Sequence, residues 1–192
     1  YGLDFARKVN ACSFWPLVEQ TNTRKRIPFL FEMFKVPYKQ QEEFLKLIVA
    51  ILPNFSKGAH DAGGNGGYLA EAMQIAFGDK IEAIHLSEGW YREHTPHFKA
   101  ALEDGDIANM PKDKDIMDDH RAFVLVKGVA RIPDVRTTGA DGKKRHGDSG
   151  IAHLLADYAS KNPSAPYEFT PLPSHENSSF EDLDISFERS WI

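Results

Sequence analysis

Three aspartates occupy positions where a carboxylate is either costly to bury or well placed for chemistry. Asp4 lies between Leu3 and Phe5, in a segment with the composition of a buried strand, where a charge requires compensation. Asp61 ends a strand-like segment just before the sequence GGNGG, and Asp148 begins the last helical segment. Sites in α/β sheets form at the carboxyl ends of strands, so we expect the three carboxylates to face one pocket.

Clustered carboxylates predict a bound cation, because they repel one another and need a positive charge to stay ionised together. Mg²⁺ and Mn²⁺ prefer oxygen ligands and also bind phosphate oxygens. Two such ions about 3.5–4 Å apart can activate a water and stabilise the leaving oxygen of a phosphodiester. We therefore predict that Asp4, Asp61 and Asp148 bind two Mg²⁺ or Mn²⁺ ions in a nuclease domain. The glycines after Asp61 would let the backbone and a DNA phosphate approach closely.

Each aspartate also has a simpler interpretation. Asp4 could be an ordinary strand-end residue, and Asp148 could be a plain N-cap, a position that favours aspartate. Asp61 could be a turn residue before glycines, or part of a phosphate cradle for a nucleotide, although the sequence DAGGNGG lacks the GxGxxG spacing. The metal-site hypothesis depends on the joint occurrence of the three.

A basic loop precedes Asp148. Lys143, Lys144 and Arg145 could hold the DNA backbone by charge, and His146 could orient a water or touch phosphate. The alternative for all four is an ordinary solvated loop. His60 should point to the opposite side of its strand from Asp61 and serve in packing.

Composition limits the function classes. The net charge is -5, but six acidic and two basic residues lie in 161–192, so residues 1–160 are close to neutral and compatible with binding DNA. The one cysteine, Cys12, excludes an internal disulfide and a cysteine-based zinc site, and fits a reducing cytoplasm. The apolar run 44–52 is far shorter than the ~20 residues that span a bilayer, so we expect no membrane contact.

Hydrophobic periodicity predicts an α/β fold in which antiparallel strands come first and helices flank a central mixed sheet. We expect the sequence to end in an acidic, proline- and serine-rich tail at 161–192, after a domain at 1–160. The tail would bind a partner or pack on the domain. Tyr1 lies almost inside a strand-like run, so we expect the natural N-terminus to lie upstream. The predicted strands are 2–5, 11–19, 26–36, 55–62, 81–86 and 122–127, and the predicted helices are 38–52, one around 69–77, 91–103, 112–120 and 148–159.

Three segments resemble a known family: YGLDFARKVN, HDAGGNGGYLAEAM and KKRHGDSGIAHLLA. They are similar, in the same order, to the C-terminal nuclease domain of phage terminase large subunits, and most of all to the Mu-like phage and prophage branch. The resemblance covers roughly residues 1–160. Its most specific part is RHGD followed by a helix rich in alanine and leucine.

The resemblance implies an RNase H-like fold and a three-carboxylate, two-metal site at Asp4, Asp61 and Asp148, which cuts viral DNA concatemers during packaging. It also implies an upstream ATPase domain, a small terminase subunit and a portal protein as partners, in the host cytoplasm. This chain contains no GxxxxGK[ST] loop. Asn10 stands where many relatives have an acidic residue, and Asp61 where the wider group often has glutamate.

Two rival functions remain open from the sequence. The first is a non-catalytic RNase H-like module that docks the packaging motor to the portal, which would bind no metal. The second is another RNase H-like enzyme, such as a junction resolvase or recombinase, which would prefer branched DNA.

Overall fold

The protein is described by a computed structural model. The residues that it describes are 1–5, 11–20, 24–133, 137–140, 142 and 144–164. Within them, the helices are α1 (Tyr38–Ile51), α2 (Gly66–Phe77), α3 (Glu88–Glu103), α4 (Lys114–Arg121) and α5 (Asp148–Lys161). The strands are β1 (Gly2–Asp4), β2 (Ala11–Trp15), β3 (Val18–Glu19), β4 (Lys25–Arg26), β5 (Phe31–Phe34), β6 (Gly58–Asp61), β7 (Ile81–Ile84), β8 (Ile107–Ala108), β9 (Val124–Val126), β10 (Val129–Arg131), β11 (Thr137–Thr138) and β12 (Lys144–Arg145).

A five-stranded mixed sheet organises the fold. Its strand order is β5-β2-β1-β6-β7. The pairs β5–β2 and β2–β1 are antiparallel, whereas β1–β6 and β6–β7 are parallel. The predicted central mixed sheet with antiparallel strands first is therefore confirmed, and its first strand in sequence lies at its centre.

Two predicted strands are each broken at a proline. The segments predicted as single strands over 11–19 and 26–36 are divided near Pro16 and Pro28, since proline has no N–H to donate to a strand ladder. The pieces β3 and β4 leave the central sheet and form a small sheet with β8, which lies outside the predicted strands and helices.

The strand predicted at 122–127 does not join the central sheet either. Its core, β9, pairs with β10 in a two-stranded hairpin in which Leu125 is exposed. The AFVLVK sequence is apolar enough for a central strand, but the two-residue hairpin connection, Lys127 and Gly128, turns the chain straight back, and both of its residues have positive φ. The prediction that this segment is a strand was correct, whereas its place in the central sheet was wrong.

Two apolar cores lie on opposite faces of the central sheet. On one face, β-strand residues such as Leu3 and Phe14 pack with Leu45 of α1 and Leu69 of α2. On the other face, the side chains come from α3, α4 and α5 together with strand residues including Trp15 and Ala59. This alternation follows from the period of two along each strand. Among the described residues, no helix combines the length and apolar character needed to cross a membrane.

Helix α5 is the central helix of the domain. The sequence predicts one apolar face, but the helix is buried almost all round, between the sheet and helices α3 and α4. Glycines allow this close packing on two sides of α5, against α4 and against β1. A Cβ on Gly150 would lie 2.8 Å from the carbonyl oxygen of Asp119 in α4.

The contact between α5 and β1 is closer still. A Cβ on Gly2 would lie 2.0 Å from the carbonyl oxygen of Ala152 and 2.3 Å from the nitrogen of Ala156. Backbone atoms cannot move aside as a flexible side chain can, so only glycine fits at this position.

We expect Gly2→Ala to lower the free energy of unfolding by about 1–3 kcal/mol or more, because the added methyl group overpacks the β1–α5 contact. Urea denaturation monitored by circular dichroism would measure the change. Gly67→Ala in α2 is the matched control, since the nearest atom to its added Cβ would be the Ala62 carbonyl oxygen at 3.6 Å. It should leave stability unchanged or raise it by up to ~1 kcal/mol. Equal effects from the two substitutions would contradict the assignment.

Candidate metal centre

Polar side chains form a row across four neighbouring strands, on the sheet face that α5 covers. Glu32 of β5 is paired with Ser13 of β2, which is paired in turn with Asp4 of β1. The β1–β6 register places Leu3 beside His60, so the next position along brings Asp4 beside Asp61. Directly paired residues point to the same face, and neighbouring strands lie about 4.8 Å apart. The predicted proximity of Asp4 and Asp61 thus follows from the backbone pairing.

Helix α5 brings Asp148 to the same level. Gly2 contacts α5 at Ala152, and Asp4 lies two residues further along β1, which is ~6.6 Å. Asp148 lies four residues before Ala152, which is about 6 Å back along the helix. The two distances match, so the first turn of α5 lies over the carboxylate row. All three aspartates predicted from the sequence therefore face the same region.

The RHGD sequence has a structural role at each position before the aspartate. Arg145 is buried, and Gly147 adopts φ +78°, a left-handed conformation that favours glycine, as the N-cap of α5. The backbone N–H of His146 donates to the Asp148 carboxylate. A second backbone donor, the Ala11 N–H, lies 3.0 Å from Asp148 Oδ2. Asp148 is thus held by its own loop and by β2.

The other two aspartates also accept backbone hydrogen bonds. The N–H of Gly63 lies 2.8 Å from Asp61 Oδ1, and the N–H of Phe5 donates to the Asp4 carboxylate. The glycines after Asp61 allow a tight turn, because a Cβ on Gly66 would lie 2.2 Å from the Asp61 carbonyl oxygen.

Burial and mutual repulsion make this region unfavourable for negative charge. Burial, and after it the nearby Asp119 carboxylate, raise the pKa of Asp148 to about 7, although the two backbone donors act in the opposite direction. The pKa of Asp4 is raised well above its usual value, first by burial and then by Asp148, Asp61 and Asp119. Burial also raises the pKa of Asp61. Among the described residues, no basic side chain forms an ion pair with Asp4, Asp61 or Asp148.

These residues fit a divalent cation in chemistry, although they do not enclose one as they stand. Within the described part of the chain, no group of three or more histidine, cysteine, aspartate or glutamate side chains has the arrangement of a ready-made cation site. The donor set is nonetheless made only of carboxylate oxygens, as Mg²⁺ and Mn²⁺ require. A cation near the row would also relieve the repulsion that helps to raise the pKa values of Asp4 and Asp148.

Two further carboxylates, which the sequence analysis did not identify, lie beside the aspartates. Arg145 donates to Glu32 and to Asp119, with Nη1–Oε2 and Nε–Oδ1 distances of 3.0 and 3.1 Å. Glu32 lies between apolar residues of a strand, which is the signal that identified Asp4, and the same rule would have found it. Asp119 lies in the charged sequence KDKDIMDDHR, where nothing distinguishes it from its exposed neighbours.

The described residues of the basic loop lie in different surroundings. Lys144 is exposed and its Nζ lies 2.7 Å from Thr138 Oγ1, so it is available to solvent and phosphate. Arg145 is 3% exposed with its guanidinium engaged by two carboxylates, so we no longer expect it to contact DNA. His146 is half-buried and contributes its backbone to Asp148, while Lys143 lies outside the described residues.

The histidine beside Asp61 points away from the site, as expected from strand alternation. His60 is 1% exposed, and its Nε2 lies 2.7 Å from the Tyr1 hydroxyl in the core on the opposite face. Tyr91 of α3 lies on the aspartate side. Its pKa is raised by burial and then by Asp4 and Asp61, so its phenol stays protonated.

Comparison with known proteins identifies relatives. No protein-family model matches the chain. It is 38% identical over 189 residues to the Mu-like prophage FluMu protein gp28 of Haemophilus influenzae, covering 95% of this chain and 37% of that protein. It is also 38% identical over 161 residues to the probable terminase large subunit gp28 of Escherichia phage Mu, covering 83% of this chain and 29% of that protein. The chain is a homologue of the Mu-like gp28 proteins.

The resemblance to terminase large subunits is thereby confirmed, and the chain spans about a third of the length of these gp28 relatives. A solved structure, the large terminase nuclease from thermophilic phage G20c with bound zinc, superimposes with a TM-score of 0.58. It is 22% identical to the chain, and the match covers 82% of this chain and 78% of the nuclease. This likeness confirms the predicted RNase H-like α/β fold.

We expect the stability difference between wild type and Asp148→Asn to depend on pH. The pKa of Asp148 is about 7 in the folded protein and near 3.8 when unfolded, so the folded state binds the extra proton. The carboxyl therefore stabilises the fold fully below about pH 4, and this contribution is lost as the pH rises through 7. Urea denaturation in EDTA should show wild type losing stability relative to Asp148→Asn by up to about 1.4 kcal/mol per pH unit.

The difference between the two proteins is the quantity to measure, because burial lowers the pKa values of His60, His120 and His153 and so acts in the opposite direction. Asp104→Asn, at the exposed end of α3, is the matched control and should run parallel to wild type. A constant difference between wild type and Asp148→Asn from pH 4 to 8 would contradict the burial of a titrating carboxyl.

Proposed function

We propose that this chain is a metal-dependent DNA endonuclease domain of a viral DNA-packaging terminase, which cuts phosphodiester bonds in concatemeric or integrated viral DNA. The observation that supports this most is the row in which Asp4 and Asp61 end adjacent parallel strands beneath Asp148 at the start of α5. The homology to a probable terminase large subunit and the fold of a terminase nuclease support the same function.

Asp4 and Asp61 would hold one divalent cation, and Asp148 would share a second. Bound Mg²⁺ or Mn²⁺ ions would supply an activated water and stabilise the leaving oxygen. The similar G20c nuclease is named with zinc, but an all-carboxylate donor set without cysteine favours the harder ions. The backbone donors of Phe5, Gly63 and Ala11 hold the three carboxylates in position.

DNA would approach over the β11–β12 hairpin, where Lys144 is exposed beside the loop that leads to Asp148. Contacts of this kind hold the phosphate backbone and read little sequence. Lys143, which lies outside the described residues, and His146 stay candidates for the same role.

The proposed partners follow from the terminase relatives. They are double-stranded DNA, an ATPase domain upstream in the full-length protein, a small terminase subunit and a portal protein, all in the cytoplasm of the host cell. The proposed cut would need only this domain, divalent cations and DNA, so it can be tested without the protein partners.

We expect Asp4→Ala, Asp61→Ala and Asp148→Ala each to abolish plasmid cleavage in Mn²⁺, because each removes a ligand of the proposed ions. Agarose gels of supercoiled plasmid would show the loss, and circular dichroism would show that the fold persists. Asp104→Asn is the control and should cleave as wild type does. Full cleavage by Asp148→Ala would refute the site.

Calorimetric titration with Mn²⁺ separates this function from a non-catalytic docking module. The nuclease should bind Mn²⁺ in wild type and lose binding in Asp61→Ala, whereas a docking module should bind none. Comparing linear with four-way-junction DNA in the gel assay separates it from a resolvase, which would prefer the junction.

We expect Lys144→Ala to weaken DNA binding several-fold and to reduce the slope of log K against log salt by about 1, because one phosphate contact is lost. Fluorescence anisotropy with a labelled duplex in Ca²⁺ at several salt concentrations would measure both. Lys99→Ala, on the exposed side of α3, is the matched control and should change neither. An unchanged salt slope in Lys144→Ala would exclude the contact.

A further inference from the structure

We propose that Arg145 is a positioning residue whose guanidinium bridges Glu32 and Asp119. The three side chains together fix the position of Asp148 at the metal centre. The same bridge keeps the carboxylates of Glu32 and Asp119 from binding the metal. This inference rests on the proposed function, since it assigns a role at the same site. It assigns roles to residues other than the three aspartates, and it also predicts the amide exchange rate at Ala11 in the metal-free protein.

Arg145 connects two separate elements of the fold. Its Nη1 and Nη2 lie 3.0 and 2.5 Å from the two carboxylate oxygens of Glu32 on β5. Its Nε and Nη2 lie 3.1 and 2.7 Å from the two carboxylate oxygens of Asp119 on α4. Both carboxylates are thus bound in the bidentate manner that a planar guanidinium allows and a lysine ammonium does not.

The same two carboxylates also hold the residue next to Asp148. The backbone N–H of Ser149 lies 3.0 Å from Asp119 Oδ2, and the Ser149 hydroxyl donates to Glu32 Oε1 at 2.7 Å. The Ser149 hydroxyl is also 3.1 Å from the Ser13 hydroxyl in the carboxylate row. The first turn of α5 is therefore anchored to α4, β5 and β2 at once, which fixes where its first residue, Asp148, lies.

Charge gives the bridge a second effect. Glu32, Asp119 and the three aspartates place five carboxylates around the start of α5, and Asp119 lies near enough to raise the energy of ionised Asp4 and Asp148. Arg145 neutralises the two that lie outside the proposed ligand set. Without it, the partly buried Glu32 and the buried Asp119 would lose the positive charge that Arg145 supplies, and would compete for any cation that entered.

A purely structural role is the competing explanation, and apolar replacement distinguishes the two. Replacing a buried ion triad with apolar residues of similar size often preserves or increases stability. The triple variant Glu32→Met, Asp119→Leu, Arg145→Met should therefore fold, yet lose the anchor of Ser149. Arg145→Lys is the second variant, since it keeps the charge but cannot form both bidentate contacts.

The matched control is the ion pair between Lys25 and Asp157, in which Nζ and Oδ1 are 3.0 Å apart. This pair is also buried and also holds α5, because Asp157 belongs to that helix and Lys25 to β4. Asp157 lies nine residues beyond Asp148, which is about 13.5 Å along the helix. The double variant Lys25→Met, Asp157→Asn should perturb α5 without reaching the metal centre.

Two measurements on the purified domain decide the matter. Calorimetric titration should show Mn²⁺ binding weakened about 10- to 100-fold in the triple variant and in Arg145→Lys, as is usual for partners of metal ligands, and unchanged in the control. Amide hydrogen exchange by NMR in EDTA should show faster exchange at Ala11, whose N–H donates to Asp148, relative to other β2 amides.

The outcomes separate this inference from the proposed function. If wild type binds no Mn²⁺, the proposed function fails, and Ala11 exchange alone then decides whether Arg145 positions Asp148. Wild-type protection of Ala11 in a variant that folds would overturn the inference. Wild-type Mn²⁺ affinity in that variant would do the same, whether or not the plasmid is cut.

Discussion

The backbone contact between β1 and α5 is the constraint on which the candidate site depends. Because Gly2 has no side chain, α5 lies directly against the central strand, and its first turn reaches the end of that strand. Asp148 therefore meets Asp4 through the geometry of two regular elements. Any larger residue at position 2 would push α5 away from the sheet. The Asp148 carboxylate would then move away from Asp4, and the core between α5 and the sheet would open.

The site combines a precise backbone with an unfavourable charge distribution. Pairing between β1 and β6 fixes the separation of Asp4 and Asp61, and backbone N–H groups hold each carboxylate. Burial then raises all three pKa values, and repulsion by neighbouring carboxylates adds to the effect at Asp4 and Asp148. A protein tolerates such a cluster when a ligand compensates for it, which is the physical reason to associate this region with a cation.

Sequence patterns predicted the elements whose signal is local. Helices α1 and α5 appear where periodicity placed them, and α3 begins earlier only because Ser87 caps it, with its hydroxyl accepting the Trp90 N–H. The pairing of β4 with β8 joins Lys25 to Ile107, two positions that no local window contains together. The same division holds for the site: Asp4 is marked by its apolar neighbours, whereas Asp119 matters only because α4 packs on α5.

The central position of α5 has a consequence for how the domain is made. All five strands of the central sheet are complete by residue 84, but the helix that covers one of its faces begins at residue 148. During synthesis from the N-terminus, that face stays uncovered while the intervening residues are added. The third aspartate arrives with the helix that covers this face, so the complete acidic cluster does not exist on a chain that ends before residue 148.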